Sequence, residues 1–139
     1  MSHLGFSVTN LDRSIKFYCD ALGAVLVRGP SEGDRPAFSG RMALVMLGWN
    51  GLDVYEHAGN EGERFEPART GLDHLALVAE SLGHLQTWAD WLDAWEVPRS
   101  EIRDVGVGAM FDFVDPDGIQ IEFCFTDQAR LSESAVHSS

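Results

Sequence analysis

The sequence predicts an α+β chain built from two βαβββ modules, and three observations predict it. A segment repeats: HLGFSVTNL from His3 aligns with HLALVAESL from His74, matching His, Leu, a small residue, a bulky apolar residue and a later Leu at an offset of 71 residues. Each copy opens with the two-residue alternation of a strand and passes into the three-and-four spacing of an amphipathic helix. Three further extended stretches follow each helix, in the same order.

In the first module, Leu4, Phe6 and Val8 form one face of the opening strand. Asn10 is placed to cap a helix whose apolar stripe is Leu11, Ile15, Tyr18 and Leu22, and Gly23 supplies the stop. AVLV from Ala24, MALVML from Met42 and LDVYEH from Leu52 read as the remaining strands. In the second module, Leu75, Leu77 and Ala79 form the strand face. Ser81 caps a helix carrying Leu85, Trp88, Leu92 and Trp95, and Pro98 stands just beyond it. A weak strand near Ile102 precedes AMFDFV and IQIEFCF, which Asp115, Pro116, Asp117 and Gly118 join as a type I turn. Asp115 and Asp117 read as turn residues, and Trp88, Trp91 and Trp95 as core or dimer packing. The expected boundaries are module 1 at 1–58, a linker at 59–70, module 2 at 71–127, and a flexible tail at 128–139, within a single domain of 1–127. The polar, Gly- and Pro-rich stretch from Arg28 is expected to be a mobile loop.

Composition narrows the functions. With 139 residues, 45% of them hydrophobic, the chain can bury about two-thirds of its unfolded surface in one core. The 22 acidic side chains outweigh 10 basic ones, and a net charge of −12 repels phosphate backbones, which excludes non-specific nucleic-acid binding. No apolar run is long enough to span a membrane and no signal-peptide pattern opens the chain, so a soluble, cytoplasmic protein is expected. The two cysteines, Cys19 and Cys124, have neither disulfide-framework nor zinc-site spacing and read as free thiols.

Strand parity then gathers chemistry on one face. If Leu4, Phe6 and Val8 pack under a helix, His3, Gly5 and Ser7 point the other way, and the same parity turns His74 away from its own helix. In the last strand Ile119, Ile121 and Phe123 form the helix-facing row, leaving Gln120, Glu122 and Cys124 opposite. Two imidazoles and a carboxylate beside small residues suit a divalent metal held with positions open: His3, His74 and Glu122 are the candidate ligands.

HLGFSVTNLDRSIKFYCDALG, GLDHLALVAE and FVDPDGIQIEF resemble the vicinal oxygen chelate superfamily, which includes glyoxalase I, extradiol dioxygenases, fosfomycin-modifying transferases, methylmalonyl-CoA epimerases and bleomycin-binding proteins. The resemblance covers residues 2 to about 126. It implies paired βαβββ modules forming a cupped eight-stranded mixed sheet with helices outside, and metal ligands at His3, His74 and Glu122. Isomerases and epimerases of the superfamily carry a fourth ligand on the last strand of the first module. In LDVYEHAG that position falls on Asp53 or Tyr55, while Glu56 has the wrong parity. Asp112 stands where dioxygenases and fosfomycin transferases carry a Tyr about ten residues before the Glu. Facing inward, it would be buried with a raised pKa and could move a proton; a register slip would turn it outward.

The expected function is therefore that of a metal-dependent isomerase or lyase of the glyoxalase type, with Asp53 and Asp112 as the proton-moving candidates and one divalent ion per chain, nickel, zinc, manganese, cobalt or iron. Ser7, Tyr55, His57, Phe111 and Gln120 are candidate pocket residues for a small-molecule substrate. Two alternatives stand beside this: an Fe(II)-dependent extradiol-type dioxygenase, and a non-catalytic drug-sequestering protein in which Trp49, Phe111 and Phe113 stack on a cationic ligand. A homodimer is expected, with modules paired within a chain or swapped between chains.

Overall fold

A computed structural model describes residues 3–35 and 38–136. The eight expected strands are present as two hydrogen-bonded sheets of four, and the chain divides into two compact units. Unit 1 comprises residues 1–65 together with Asp115–Gly118, and unit 2 comprises Glu66–Val114 together with 119–139.

In unit 1 the order of elements is β1 (His3–Ser7), α1 (Leu11–Leu22), β2 (Val25–Arg35), β3 (Phe38–Leu47) and β4 (Asn50–His57). The strands lie in the order β1-β4-β3-β2, with β1 parallel to β4 and the other pairs antiparallel. Asn10 caps α1 by accepting from the backbone N–H of Arg13 at 2.9 Å, and Gly23 ends it in the left-handed conformation at φ 67°. Leu11, Tyr18 and Leu22 of the predicted stripe are buried with Val8, Val45, Leu52 and Val54 in the core of this unit, while Ile15 is half-buried at its margin.

In unit 2, β5 (His74–Val78), α2 (Leu82–Ala94), β6 (Arg103–Asp104), β7 (Gly108–Val114) and β8 (Gln120–Thr126) repeat the plan, in sheet order β5-β8-β7-β6. Ser81 caps α2 through the backbone N–H of His84 at 3.1 Å. Leu85, Ala89 and Leu92 are buried against Phe111, Phe113, Ile121 and Phe123. Trp88 stacks on Phe123 with ring centroids 4.5 Å apart. Trp91 and Trp95, each 45% exposed, pack on one another instead of entering the core.

Two expectations about irregular segments are corrected. The stretch from Arg28 is the outer half of a long hairpin: β2 pairs with β3 as far as Arg35 opposite Phe38. As an edge strand it has one solvated side, which suits its polar, Gly- and Pro-rich composition. Two register shifts interrupt the pairing, between Leu26 and Arg28 and between Arg28 and Ser31, and the second contains Gly29, whose φ is 90°. A Cβ there would stand 2.5 Å from the Met42 carbonyl oxygen, so the bulge requires glycine. The segment from residue 128, expected to fray, forms helix α3 (Gln128–Val136). Asp127 accepts from the backbone N–H of Ala129 at 3.0 Å, and Arg130 pairs with Asp104 at 2.7 Å, which gives the helix a cap and a tether to β6. Residues 137–139 of the expected tail lie outside the described residues.

The β7–β8 turn is the predicted one, closed by the Gly118 N–H on the Asp115 carbonyl at 3.0 Å. Its aspartates do more than turn the chain. Both are buried, at 3% and 5% exposure, and both belong to unit 1. The Tyr18 hydroxyl donates to Asp115 Oδ2 at 3.1 Å. Asp117 accepts from the Thr9 backbone N–H at 2.9 Å, from the Thr9 hydroxyl and from Arg13 Nη2 at 2.6 Å. Burial, reinforced by the Asp115 carboxylate, pushes the Tyr18 phenol well above its ordinary pKa. No helix among the described residues is long and apolar enough to cross a membrane.

Candidate metal centre

The burial patterns obey the predicted parity. His3, Gly5 and Ser7 are exposed while Leu4, Phe6 and Val8 turn toward the helix, and β5 repeats the pattern with His74 exposed. On β8, Ile121 and Phe123 are buried while Gln120, Glu122 and Cys124 stand on the other face.

Each unit places one imidazole against one carboxylate. In unit 1, His3 Nε2 lies 3.9 Å from Asp53 Oδ2. In unit 2, His74 Nε2 lies 3.8 Å from Glu122 Oε2. Both carboxylates are largely sheltered, 15% and 14% exposed. The pairs occupy the same register: Asp53 is the partner of Gly5, two residues after His3, and Glu122 is the partner of Ala76, two residues after His74. That equivalence separates Asp53 from Tyr55, because Tyr55 pairs with Ser7, one pleat further along. Glu56 points toward the helix and accepts from the Leu11 backbone N–H at 2.6 Å, so it caps α1.

The donor set suits a divalent ion. Imidazole nitrogen and carboxylate oxygen bound at about 2.1 Å to one ion sit roughly 3 Å apart, so each observed pair needs to close by less than about 1 Å. Among the described residues no single cluster gathers three or more His, Cys, Asp or Glu side chains as a metal site. The nitrogen of His74 that faces away from Glu122 is anchored: Nδ1 lies 2.7 Å from Asp73 Oδ1. The hydrogen bond to Asp73, helped by the charges of Glu122, Asp73 and Asp112 and opposed by burial, raises the His74 pKa. The Asp-His pair in GLDHLAL signals this contact in the sequence, where it went unread.

The candidate proton carriers differ. Asp53 stands beside His3 on the face that carries the imidazole. Asp112 lies on the Glu122 face, directly opposite it in the β7–β8 register, which is the first of the two orientations the sequence left open, but without the burial that went with it. Its side chain is 42% exposed, and Arg103 Nη1 holds its Oδ2 at 2.5 Å. Asp112 is therefore a half-exposed partner of a guanidinium, not the buried acid that was expected.

Of the pocket candidates, Ser7, Tyr55 and His57 share the face of Asp53, and the Tyr55 and His57 rings both meet Phe38 edge-on, at 5.0 and 5.1 Å. Gln120 lines a cleft of about 660 Å³ in unit 2, together with His74, Met110, Asp112, Glu122 and Arg103. Phe111 does not belong to the set. It is fully buried under α2, and Phe113 is 3% exposed, because the parity that exposes Asp112 turns its neighbours inward. Trp49 projects into solvent at 96% exposure. Arg103 and Ser100, which the sequence reading missed, enter this cleft because β6 and the segment before it pack beside β7.

Two βαβββ units, each with a His–carboxylate pair at the same register, define a protein of two repeated modules with candidate metal-ligating side chains on each sheet. The chain belongs to the Glyoxalase/Bleomycin resistance protein/Dioxygenase superfamily, whose family model matches residues 1–123. It is 33% identical over 131 residues to a lactoylglutathione lyase of Haemophilus influenzae, covering 87% of this chain and 88% of that protein. Among solved structures it resembles a glyoxylase/bleomycin resistance protein/dioxygenase domain from Frankia sp. EAN1pec, with TM-score 0.79, 24% identity and coverage of 91% and 96% of the two chains. A glyoxalase family protein from Enterococcus faecalis gives TM-score 0.73 and 25% identity over 89% and 95%.

Proposed function

We propose that this chain is a divalent-metal-dependent lyase of the glyoxalase type. His3, His74 and Glu122 hold the ion and Asp53 serves as fourth ligand or as the base beside it. The observation that carries the reading is the register equivalence of the two pairs, which supplies two imidazoles and two carboxylates. The likeness to a lactoylglutathione lyase supports the substrate class, a hemithioacetal formed from a 2-oxoaldehyde and a thiol. A fourth donor argues against the dioxygenase alternative, which uses two His and one carboxylate and leaves the remaining positions open. Burial of Phe111 and Phe113 removes two of the three rings that a drug-sequestering role would use.

His3, His74 and Glu122 would hold a divalent ion, which would supply Lewis acidity toward the substrate's oxygens and so acidify the C–H beside the carbonyl. The carboxylate of Asp53 takes the proton from the carbon bearing sulfur and hydroxyl and returns one to the neighbouring carbonyl carbon. The hydroxyl proton moves to the oxygen of that carbonyl, so the product is a 2-hydroxy thioester of the same composition as the substrate. Asp73 holds His74 by Nδ1, leaving Nε2 for the ion. The test is turnover of the methylglyoxal–glutathione hemithioacetal by protein loaded in turn with nickel, zinc, cobalt or manganese, followed by NMR in deuterated water. Thioester formation with a metal requirement is expected. Protein that binds no divalent ion and turns over no hemithioacetal overturns the reading.

A further inference from the structure

Helix α2 carries two stripes. Leu85, Ala89 and Leu92 form the first and are buried against the sheet. One residue away runs the second, His84, Trp88, Trp91 and Trp95, at intervals of four, three and four residues, a spacing that keeps them along one flank of the helix. Trp88 closes the core by stacking on Phe123, and the His84 ring lies 6.2 Å from it. Further along, Trp91 and Trp95 stand 5.8 Å apart, tilted by 49° and each 45% exposed. Two adjacent indoles half in water add little to the core they flank, and a clustered pair of large exposed rings marks a surface that meets something.

The charge around this flank is of one sign. From Glu80 to Glu96 the chain carries Glu80, Asp90, Asp93 and Glu96 and neither Lys nor Arg. Asp93 is answered by Arg99 at 2.6 Å, and Asp90 accepts the side-chain amide of Gln86 at 2.8 Å. Glu80, Asp90 and Glu96 are exposed and have no ion pair among the described residues. Glu96 holds its place at a cost. It occupies the position after the helix that glycine ordinarily fills, with its N–H on the Asp93 carbonyl at 3.0 Å and the Val97 N–H on the Leu92 carbonyl at 2.9 Å. Its φ of 55° is the left-handed value that a side chain opposes.

Indole faces beside carboxylates match one kind of group, a planar cation that stacks on a ring and turns its N–H edge to an acid. A helix flank is convex, so it suits a segment laid across it, whereas a small molecule needs a concavity. Two-fold pairing with a second copy on this flank would set the carboxylates against their own kind. We propose that the flank of α2 from His84 to Glu96 is a docking surface for a basic, arginine-bearing segment of a partner protein, whose guanidinium groups stack on Trp91 and Trp95 and pair with Asp90 and Glu96. Asp112 and Glu122, which line the cleft of this unit, have the opposite strand parity to Phe111 and Phe123, against which α2 packs, so the inference stands apart from the lyase reading.

The probes are acetylated hexa-arginine amide and hexa-lysine amide, titrated into the full chain by calorimetry and by NMR of the indole N–H groups. The arginine peptide should bind more tightly than the lysine peptide of equal charge, and added salt should weaken both. It should shift the Trp91 and Trp95 resonances and leave that of Trp49, which is 96% exposed, in place. Trp91→Ala and Trp95→Ala should each weaken binding roughly two- to thirty-fold. Glu96→Gly removes a carboxylate and relieves the backbone, so it should weaken binding while the melting temperature holds or rises, which separates a lost contact from a damaged fold. Equal affinity for the two peptides, a Trp49 shift as large as those of Trp91 and Trp95, or affinity unchanged by the Trp91 and Glu96 substitutions shows attraction to bulk charge and overturns the inference. Absence of binding at low salt overturns it as well. A dimer that Trp91→Ala converts to monomer in sedimentation assigns the flank to a second copy and overturns it too.

Discussion

His74 uses its two nitrogens for different ends, and the difference sets a pH dependence. Nδ1 is bonded to Asp73, and that bond, with the charges of Glu122 and Asp112, keeps the imidazole protonated above its usual pKa of about 6.5. Only the neutral ring binds a metal through Nε2. Zinc affinity, measured by chelator competition, should therefore still be rising with pH above about 6.5. Asp73→Asn should move the midpoint to lower pH. In the metal-free protein the sign is opposite: the stabilisation from charged His74 is complete below the unfolded value and is lost as pH rises through the raised folded one. Under the proposed function Asp53 is the other decisive side chain. Asp53→Asn should lower turnover by roughly two to four orders of magnitude with the fold and most of the metal retained, whereas Glu122→Ala should abolish metal binding measured by elemental analysis.

At the level of elements, the N-terminal end of α1 concentrates the interactions. Asn10 and Glu56 take the N–H groups of Arg13 and Leu11, and Asp117 receives Thr9 and Arg13. Deeper in the helix, Tyr18 donates to buried Asp115. Tyr18→Phe leaves a buried acceptor short of a donor and should cost about 1–3 kcal/mol in urea unfolding. The raised phenol pKa adds an alkaline limit: Tyr18 supports the fold below about pH 10 and ceases to as pH climbs through its folded value. Stability of the parent should fall above pH 10 more steeply than that of the Phe variant. The helix stripes, both caps, the hairpin turn and the strand parity were legible because each depends on neighbours within a few residues. The roles of Asp115 and Asp117 were not, because their partners lie 97 to 108 residues away in sequence. Long-range pairing likewise hid the outer half of β2, whose composition is that of a loop until β3 supplies its hydrogen bonds. Alternation places Asp53 and Tyr55 on one face, and register adds what the sequence does not show, that Asp53 pairs with Gly5 as Glu122 pairs with Ala76.

For the molecule as a whole, Val25 and Val27 leave apolar surface exposed, and a homodimer remains the expected state. Sedimentation at micromolar concentration should give twice the chain mass. If subunits exchange modules in building the metal site, mixing His3→Ala with Glu122→Ala protein should recover part of the lost activity; no recovery would place all the ligands of a site in one chain. The buried turn Asp115–Gly118 has a further consequence, for how the chain can be cut. The repeat suggests two halves, each able to stand for a primitive module, yet residues 1–65 lack four of the residues their unit contains. A half-gene ending near residue 65 would encode a polypeptide whose Tyr18 hydroxyl and Thr9 N–H have lost their acceptors. The same polypeptide supplied with a second fragment carrying 115–118 recovers them. Expressed alone, the first half should stay unfolded by circular dichroism, and co-expression with residues 66–139 should rescue it, so the boundary of the repeat in the gene is not a boundary at which the protein can be divided.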